Sequence, residues 1–195
     1  MAISTDQIKE LRARAGVSVM DCKQALEQAD GDMEKALLVL RKKSSAAAAK
    51  KADRTLGAGV VQAYIHASND VGAMVLLSCE TDFVAKNEEF KALAHDIAMH
   101  ATATNPDFIT REQVRDEDVA KAKQLFEEEA ADKPADKRDT IVKGKLDAYL
   151  RERVLLEQPY VKEPSLSIKD LIERAIQKFG ERIELSECVR FSVKG

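Results

Sequence analysis

Tryptophan is missing from this 195-residue chain, and six phenylalanines and three tyrosines are its only other large aromatics. That profile suits a helix-rich protein with few bulky anchors. Cysteine is scarce and odd in number: Cys22, Cys79 and Cys188 stand far apart, with no Cys-x-x-Cys pair. This excludes a disulfide framework and a zinc-ribbon spacing, and fits reduced thiols of a cytosolic protein. An excess of positive charge is missing too. Lys and Arg number 31 against 34 Asp and Glu, a formal charge of −3, so there is no global basic field to hold nucleic acid. No apolar run approaches the ~18 residues needed to span a bilayer. Met1-Ala2-Ile3-Ser4 lacks the charged start and apolar stretch of a signal peptide. The expectation is a soluble, cytoplasmic protein that engages neither membrane nor nucleic acid.

The chemistry of an enzyme is also absent. His66, His95 and His100 are the only histidines. Five residues on a helix separate the last two by about 140° around the axis, so they do not readily share a metal, and each reads as a surface or boundary residue. Cys79 precedes Glu80, Thr81 and Asp82, and neighbouring acids raise a thiol's pKa rather than activate it. Neither a Gly-x-x-x-x-Gly-Lys-Ser/Thr loop nor a dinucleotide glycine fingerprint is present. No catalytic residue, cofactor or bound metal is expected, and the chain is not expected to hold a nucleotide itself.

What is present reads as an α+β protein. Residues 1–43 predict three short helices in a compact bundle. Ser4 with Gln7 forms a capping box, Ile8, Leu11 and Ala15 a buried stripe, and Gly16 a stop. Ser18 opens a second helix with Cys22, Ala25, Leu26 and Ala29 on one face. Asp30-Gly31-Asp32 turns the chain into a third, carrying Met33, Ala36, Leu37 and Leu40. A helix-turn-helix DNA reader would need a basic recognition face that this bundle lacks. Residues 44–55, rich in Ala and Lys, predict a helical linker with almost nothing large to bury, which reads as a solvated tether. Residues 56–195 predict the second domain, with a dimerisation region.

That domain opens on a β-hairpin, in which Val61, Ala63 and Ile65 alternate with Gln62, Tyr64 and His66. Ser68-Asn69-Asp70 is turn chemistry, and Val75, Leu77 and Cys79 share a face of the return strand. The stretch Thr81-Asp82-Phe83-Val84-Ala85-Lys86-Asn87 follows at a strand-to-helix turn. Asn87 is a good N-cap, and Glu88 and Glu89 suit the positive end of the next helix dipole. Phe83 either tucks into its own core or projects as an anchor for a partner; the general burial of aromatics favours tucking. The following helix carries Phe90, Leu93, Ala94, Ile97 and Ala101. Helices are expected around Val119–Phe126 and over about 140–156, then an extended, ordered loop around Pro159 and Pro164. An amphipathic helix from Ile168 to Phe179 stops at Gly180. A last strand, 183–193, alternates Ile183, Leu185, Val189, Phe191 and Val193, with Glu187 interrupting at a bulge or an edge. It is expected to join the hairpin in a small antiparallel three-stranded sheet packed with helices.

Four blocks occur in order: Leu11-Arg12-x-Arg14-x-Gly16, Met20-Asp21-Cys22-Lys23-x-Ala25-Leu26, Thr81 to Asn87, and Leu155-Leu156-Glu157-Gln158-Pro159-Tyr160-Val161-Lys162-Glu163-Pro164-Ser165. Together they resemble bacterial elongation factor Ts, the nucleotide exchange factor for elongation factor Tu, and the bundle resembles ubiquitin-associated domains in form. The resemblance implies a short form, without the long second core repeat and coiled-coil insertion of longer members, that pairs into homodimers through its core. Ser186-Glu187-Cys188-Val189 departs from the basic and aromatic pattern usual there. By the same resemblance, Thr81, Asp82, Phe83 and Val84 dislodge Mg²⁺ from elongation factor Tu. Arg12, Met20, Ala85, Lys86 and Asn87 are further partner contacts. The alternatives are a non-catalytic interaction module and, more remotely, a small hydrolase using Cys79 or Asp82.

Overall fold

Local capping chemistry sets the first three helices. The structure, a computed structural model, describes residues 3–194; Met1, Ala2 and Gly195, at the outer ends of the expected domains and of the N-terminal stretch read above, lie outside the described residues. Ser4 Oγ accepts from the Gln7 amide at 3.2 Å and Gln7 Oε1 accepts from the Ser4 amide at 3.0 Å, opening α1 (Thr5–Ala15). Gly16 ends it in the left-handed region, with φ 69°. Ser18 and Asp32 cap α2 (Val19–Gln28) and α3 (Met33–Ala49) through the amides of Asp21 and Lys35. Leu11, Cys22, Leu26, Ala36 and Leu40 form the buried centre of this bundle.

The chain continues through β1 (Ala58–Ile65), β2 (Val71–Cys79), a one-turn helix α4 (Asp82–Ala85) and α5 (Glu88–Thr104). A helical pair follows, α6 (Asp116–Glu129) and α7 (Ala135–Arg153). The expected extended loop is a small hairpin of β3 (Pro159–Tyr160) and β4 (Glu163–Ser167), leading into α8 (Ile168–Phe179) and β5 (Ile183–Ser192). Strands β1, β2 and β5 form the antiparallel sheet in that order. Its inner face (Ala73, Val75, Leu77, Cys79, Ile183, Leu185) packs on Phe90, Ala94 and Ile97 of α5 and Ile172 and Ile176 of α8.

Residues 44–49 are helical but are no solvated tether. They continue α3 without a break and lie along α8. Alanine and serine give these helices little bulk at the contact, which permits close approach. Ser44 is buried, its hydroxyl donating to Leu40 O at 3.1 Å and bonding to the Gln177 side chain. Arg41 donates two bonds to the buried carboxylate of Asp170. Burial opposes ionisation of Asp170, but its bonds from Ser167 and Arg41 prevail, and its carboxyl lies below the ordinary value.

Two further readings are corrected. His100 is fully buried, not a boundary residue. Its Nδ1 accepts from the Val161 amide at 3.3 Å and its Nε2 lies 2.9 Å from Gln158 Oε1. These partners call for the neutral ring with its hydrogen on Nε2, and burial lowers its pKa. The second correction concerns the sheet. Val60 and Tyr64 turn toward the core, whereas Val61, Ala63 and Ile65 face outward.

A β-bulge in β5 has the same consequence. Leu77 pairs with Leu185 and Leu76 with Glu187, leaving Ser186 as the extra residue, its hydroxyl 2.6 Å from that of Ser78. One added residue exchanges the faces of everything beyond it. Ile183 and Leu185 therefore point inward, while Val189 and Phe191 point outward. Rows Ala63–Met74–Val189 and Ile65–Gly72–Phe191 cross the outer face. A Cβ at Gly72 would stand 2.9 Å from Tyr64 O, so the middle of the second row stays bare between two large apolar side chains.

Candidate functional site

The Thr81–Asn87 stretch begins two residues after β2 and spans the N-cap and whole of α4 and the cap of α5. Cys79, the last residue of β2, is buried, and burial followed by the Glu181 charge pushes its thiol up. It donates to Thr81 O at 3.2 Å. Asn87 Oδ1 accepts from the Glu89 amide at 2.9 Å and opens α5, as its residue type implies. Within α4, Val84 is buried and Ala85 packs partly on the core, while Phe83 is 84% exposed. Successive helical residues stand about 100° apart, so a turn anchored through Val84 directs Phe83 away. The general preference of aromatics for the interior does not hold here; Phe83 projects.

Asp82 stands beside it, 2.6 Å from Lys86 Nζ across one helical turn. That bond and the lysine's charge hold its carboxyl below the ordinary value. Thr81, the N-cap of α4, makes no side-chain capping bond of its own. Its hydroxyl donates to Glu181 Oε1 at 2.5 Å, and Glu181 Oε2 accepts from the amides of Thr81 at 3.0 Å and Glu80 at 3.1 Å. In return, a Glu80 carboxylate oxygen accepts from the Arg182 amide at 2.5 Å and from Arg54 at 3.2 Å. Sequence reasoning missed Glu181, Glu80, Arg54 and Arg182. Glu181 lies a hundred residues from the turn, and the only local sign of it was its place directly after the helix-stopping Gly180.

The structure thus brings Thr81, Asp82, Phe83, Val84, Ala85, Lys86 and Asn87 into one compact turn. Arg12 and Met20 stand on the bundle, both exposed, with Met20 62% exposed beside an exposed Val19. A shallow cleft lined by Ala13, Gly16, Glu89, Leu93, Lys178 and Phe179 separates the end of α1 from the start of α5, so the bundle borders the helix that the turn leads into. Cys188 is half-buried on the inner side of β5, opposite Val75 and away from the outer sheet face.

Among the described residues, no group of three or more His, Cys, Asp or Glu is arranged to hold a metal, and no helix is long and apolar enough to cross a membrane. A cavity of about 580 Å³ lies between α6, α7 and residues 107–115. The charges at its rim are largely paired within it, Arg153 with Asp107 and Arg115 with Asp118.

Comparison with known proteins gives concordant matches. A family model described as "Elongation factor TS" matches residues 43–194. The chain is 47% identical to elongation factor Ts of Carboxydothermus hydrogenoformans, over 98% of this chain and 89% of that protein. It is 46% identical to elongation factor Ts of Herpetosiphon aurantiacus, over 99% of this chain and 98% of the relative. Elongation factor Ts of Thermodesulfovibrio yellowstonii is likewise 46% identical, over 99% and 97%. These relatives also span the N-terminal bundle, most of which the family model leaves out.

Proposed function

The chain belongs to the elongation factor Ts family of translation elongation factors, and on that premise we propose that it is a guanine nucleotide exchange factor. It binds elongation factor Tu carrying GDP, displaces Mg²⁺ and promotes GDP release so that GTP binds in turn. The observation that carries this reading is Phe83, held outward on a turn whose neighbours Val84 and Ala85 are fastened to the core.

Mg²⁺ demands near-ideal octahedral geometry, so small displacements around it weaken its hold. Phe83 enters the nucleotide domain of elongation factor Tu as an apolar wedge, and Asp82, paired with Lys86 in the free protein, competes there for hydrogen bonds. Thr81 and Val84 complete the Mg²⁺-dislodging turn, flanked by Ala85, Lys86 and Asn87. Arg12 and Met20 grip a second patch. No covalent step is involved. Linkage then sets the cycle: if this protein weakens GDP binding, GDP weakens this protein's binding by the same factor. It therefore stabilises the empty partner and leaves as nucleotide returns. The cytoplasm is the compartment in which this reading places it. A second copy of the chain covers the outer sheet face, where Ile65 and Phe191 are 67% and 70% exposed; contiguous apolar surface of this kind marks an interaction site.

The rival reading, a non-catalytic interaction module, draws on the exposed Val19 and Met20 of the bundle. Release of fluorescent GDP from elongation factor Tu separates the two. Wild type should accelerate release, and Phe83→Ala and Asp82→Ala should lose that acceleration while staying folded. No acceleration by wild type would remove the exchange reading and leave the module.

A further inference from the structure

We propose that Glu181 is a positioning residue for Phe83: it anchors the two residues that lead into α4 and fixes the angle at which the turn is presented. The inference rests on the exchange reading for its functional consequence, but its structural part stands on geometry alone. A four-residue helix does not hold itself, because nucleation fixes several residues for one hydrogen bond. The residue that would ordinarily cap it, Thr81, makes no capping bond. Glu181 instead accepts from three donors of the two residues that enter the helix, the amides of Glu80 and Thr81 and the Thr81 hydroxyl.

The arrangement is reciprocal. Glu80 and Glu181 each reach across to the other strand end, Glu80 accepting from the amide of Arg182. The two carboxylates are served differently. Glu80 has Arg54 beside it, whereas no Lys, Arg or His among the described residues lies within ion-pair distance of Glu181. Its charge is met by neutral N–H and O–H donors of the turn, so its interaction energy is directed at the turn itself. Bonds to a charged acceptor are the stronger ones. Gly180 makes the approach possible: it ends α8 at φ 73°, its amide donating to Ile176 O at 3.0 Å, and turns the chain so that the next residue faces Thr81.

A positioning role predicts a particular split. If the turn is in place only part of the time, the affinity measured for a partner falls by that fraction while the bound complex behaves normally. Two readouts test this on the full chain. For a Glu181→Ala turn misplaced in about nine molecules of ten, the amides of Glu80 and Thr81 are open about nine-tenths of the time, and their hydrogen exchange should quicken by about tenfold or more. In the GDP-release assay, the concentration giving half-maximal acceleration should rise about tenfold with the maximal rate kept. Phe83→Ala should do the reverse, lowering the maximal rate with both amides still protected. Glu181→Gln, which keeps one acceptor oxygen, should restore most of both properties, and it carries the comparison if the alanine variant does not fold. Unchanged amide exchange together with unchanged half-saturation would overturn the proposal. Failure of wild type to accelerate release would instead strike the exchange reading, and the amide exchange would still decide whether Glu181 sets the turn.

Discussion

Phe191→Ala should separate pairing from folding. Phe191 is 70% exposed on the outer sheet face, in a row with Gly72 and Ile65. A phenylalanine presents on the order of 200 Å², so about 140 Å² is available to a second copy, and truncation to alanine removes roughly 100 Å² of that. At about 25 cal/mol per Å² the loss is about 2.5 kcal/mol per copy. In a two-fold dimer the same residue is lost twice, giving about 5 kcal/mol, or a dissociation constant raised by between 10³ and 10⁴. The folded monomer should barely notice, since little of the side chain is buried within it. Sedimentation velocity over a wide concentration range reads the first quantity, and thermal unfolding well below the dimer's dissociation constant reads the second. A variant that still dimerises as tightly as wild type would refute the assignment of this face. So would a wild type that stays monomeric at millimolar concentration.

Other expectations follow from the interior. Arg41→Ala strips two donors from the buried Asp170 carboxylate and should cost about 2 kcal/mol, lowering the unfolding midpoint by about 4–8 °C for a chain of this size; an unchanged midpoint would show that Ser167 suffices. His100 stays neutral in the native state below its ordinary pKa because it is buried. The unfolded chain takes up the proton first, near pH 6.5. Its contribution to stability is therefore complete above that pH and declines as pH falls below it, by at most about 1.4 kcal/mol per pH unit. Denaturant titrations between pH 5 and 7 should show a shallower slope in His100→Gln, and equal slopes would contradict the buried neutral ring.

What could be read from the residues was what is decided locally. Ser4 with Gln7, Gly16, Asn87 and Gly180 each mark a helix end through bonds made within four residues, and all four stand where their chemistry implies. The alternation of β1 was equally legible, but its sidedness was not. Val60 and Tyr64 are as fit for burial as Val61 and Ile65, and only the position of α5 decides between them. The histidine at position 100 is polar by type and buried through partners nearly sixty residues away. The resemblance pointed to the Phe83 turn. Its support by Glu181 is a contact across a hundred residues, and no spacing rule reaches that far.

Ser186 has a consequence for how this protein tolerates change in length. On one side of it the odd-numbered residues of β5 belong to the interior, and on the other they belong to the exterior. The strand therefore behaves as two half-strands of opposite parity joined at a single residue. Deleting Ser186 would not shorten a loop. It would take out the bulge and leave inward Leu185 directly followed by outward Glu187, so Val189 and Phe191 would keep the outer face and Cys188 and Arg190 the inner one. A residue added or removed at a paired position of β5 would instead exchange the faces beyond it, unless a second change restored the count. In this strand, the number of residues is as much a determinant of surface chemistry as their identity.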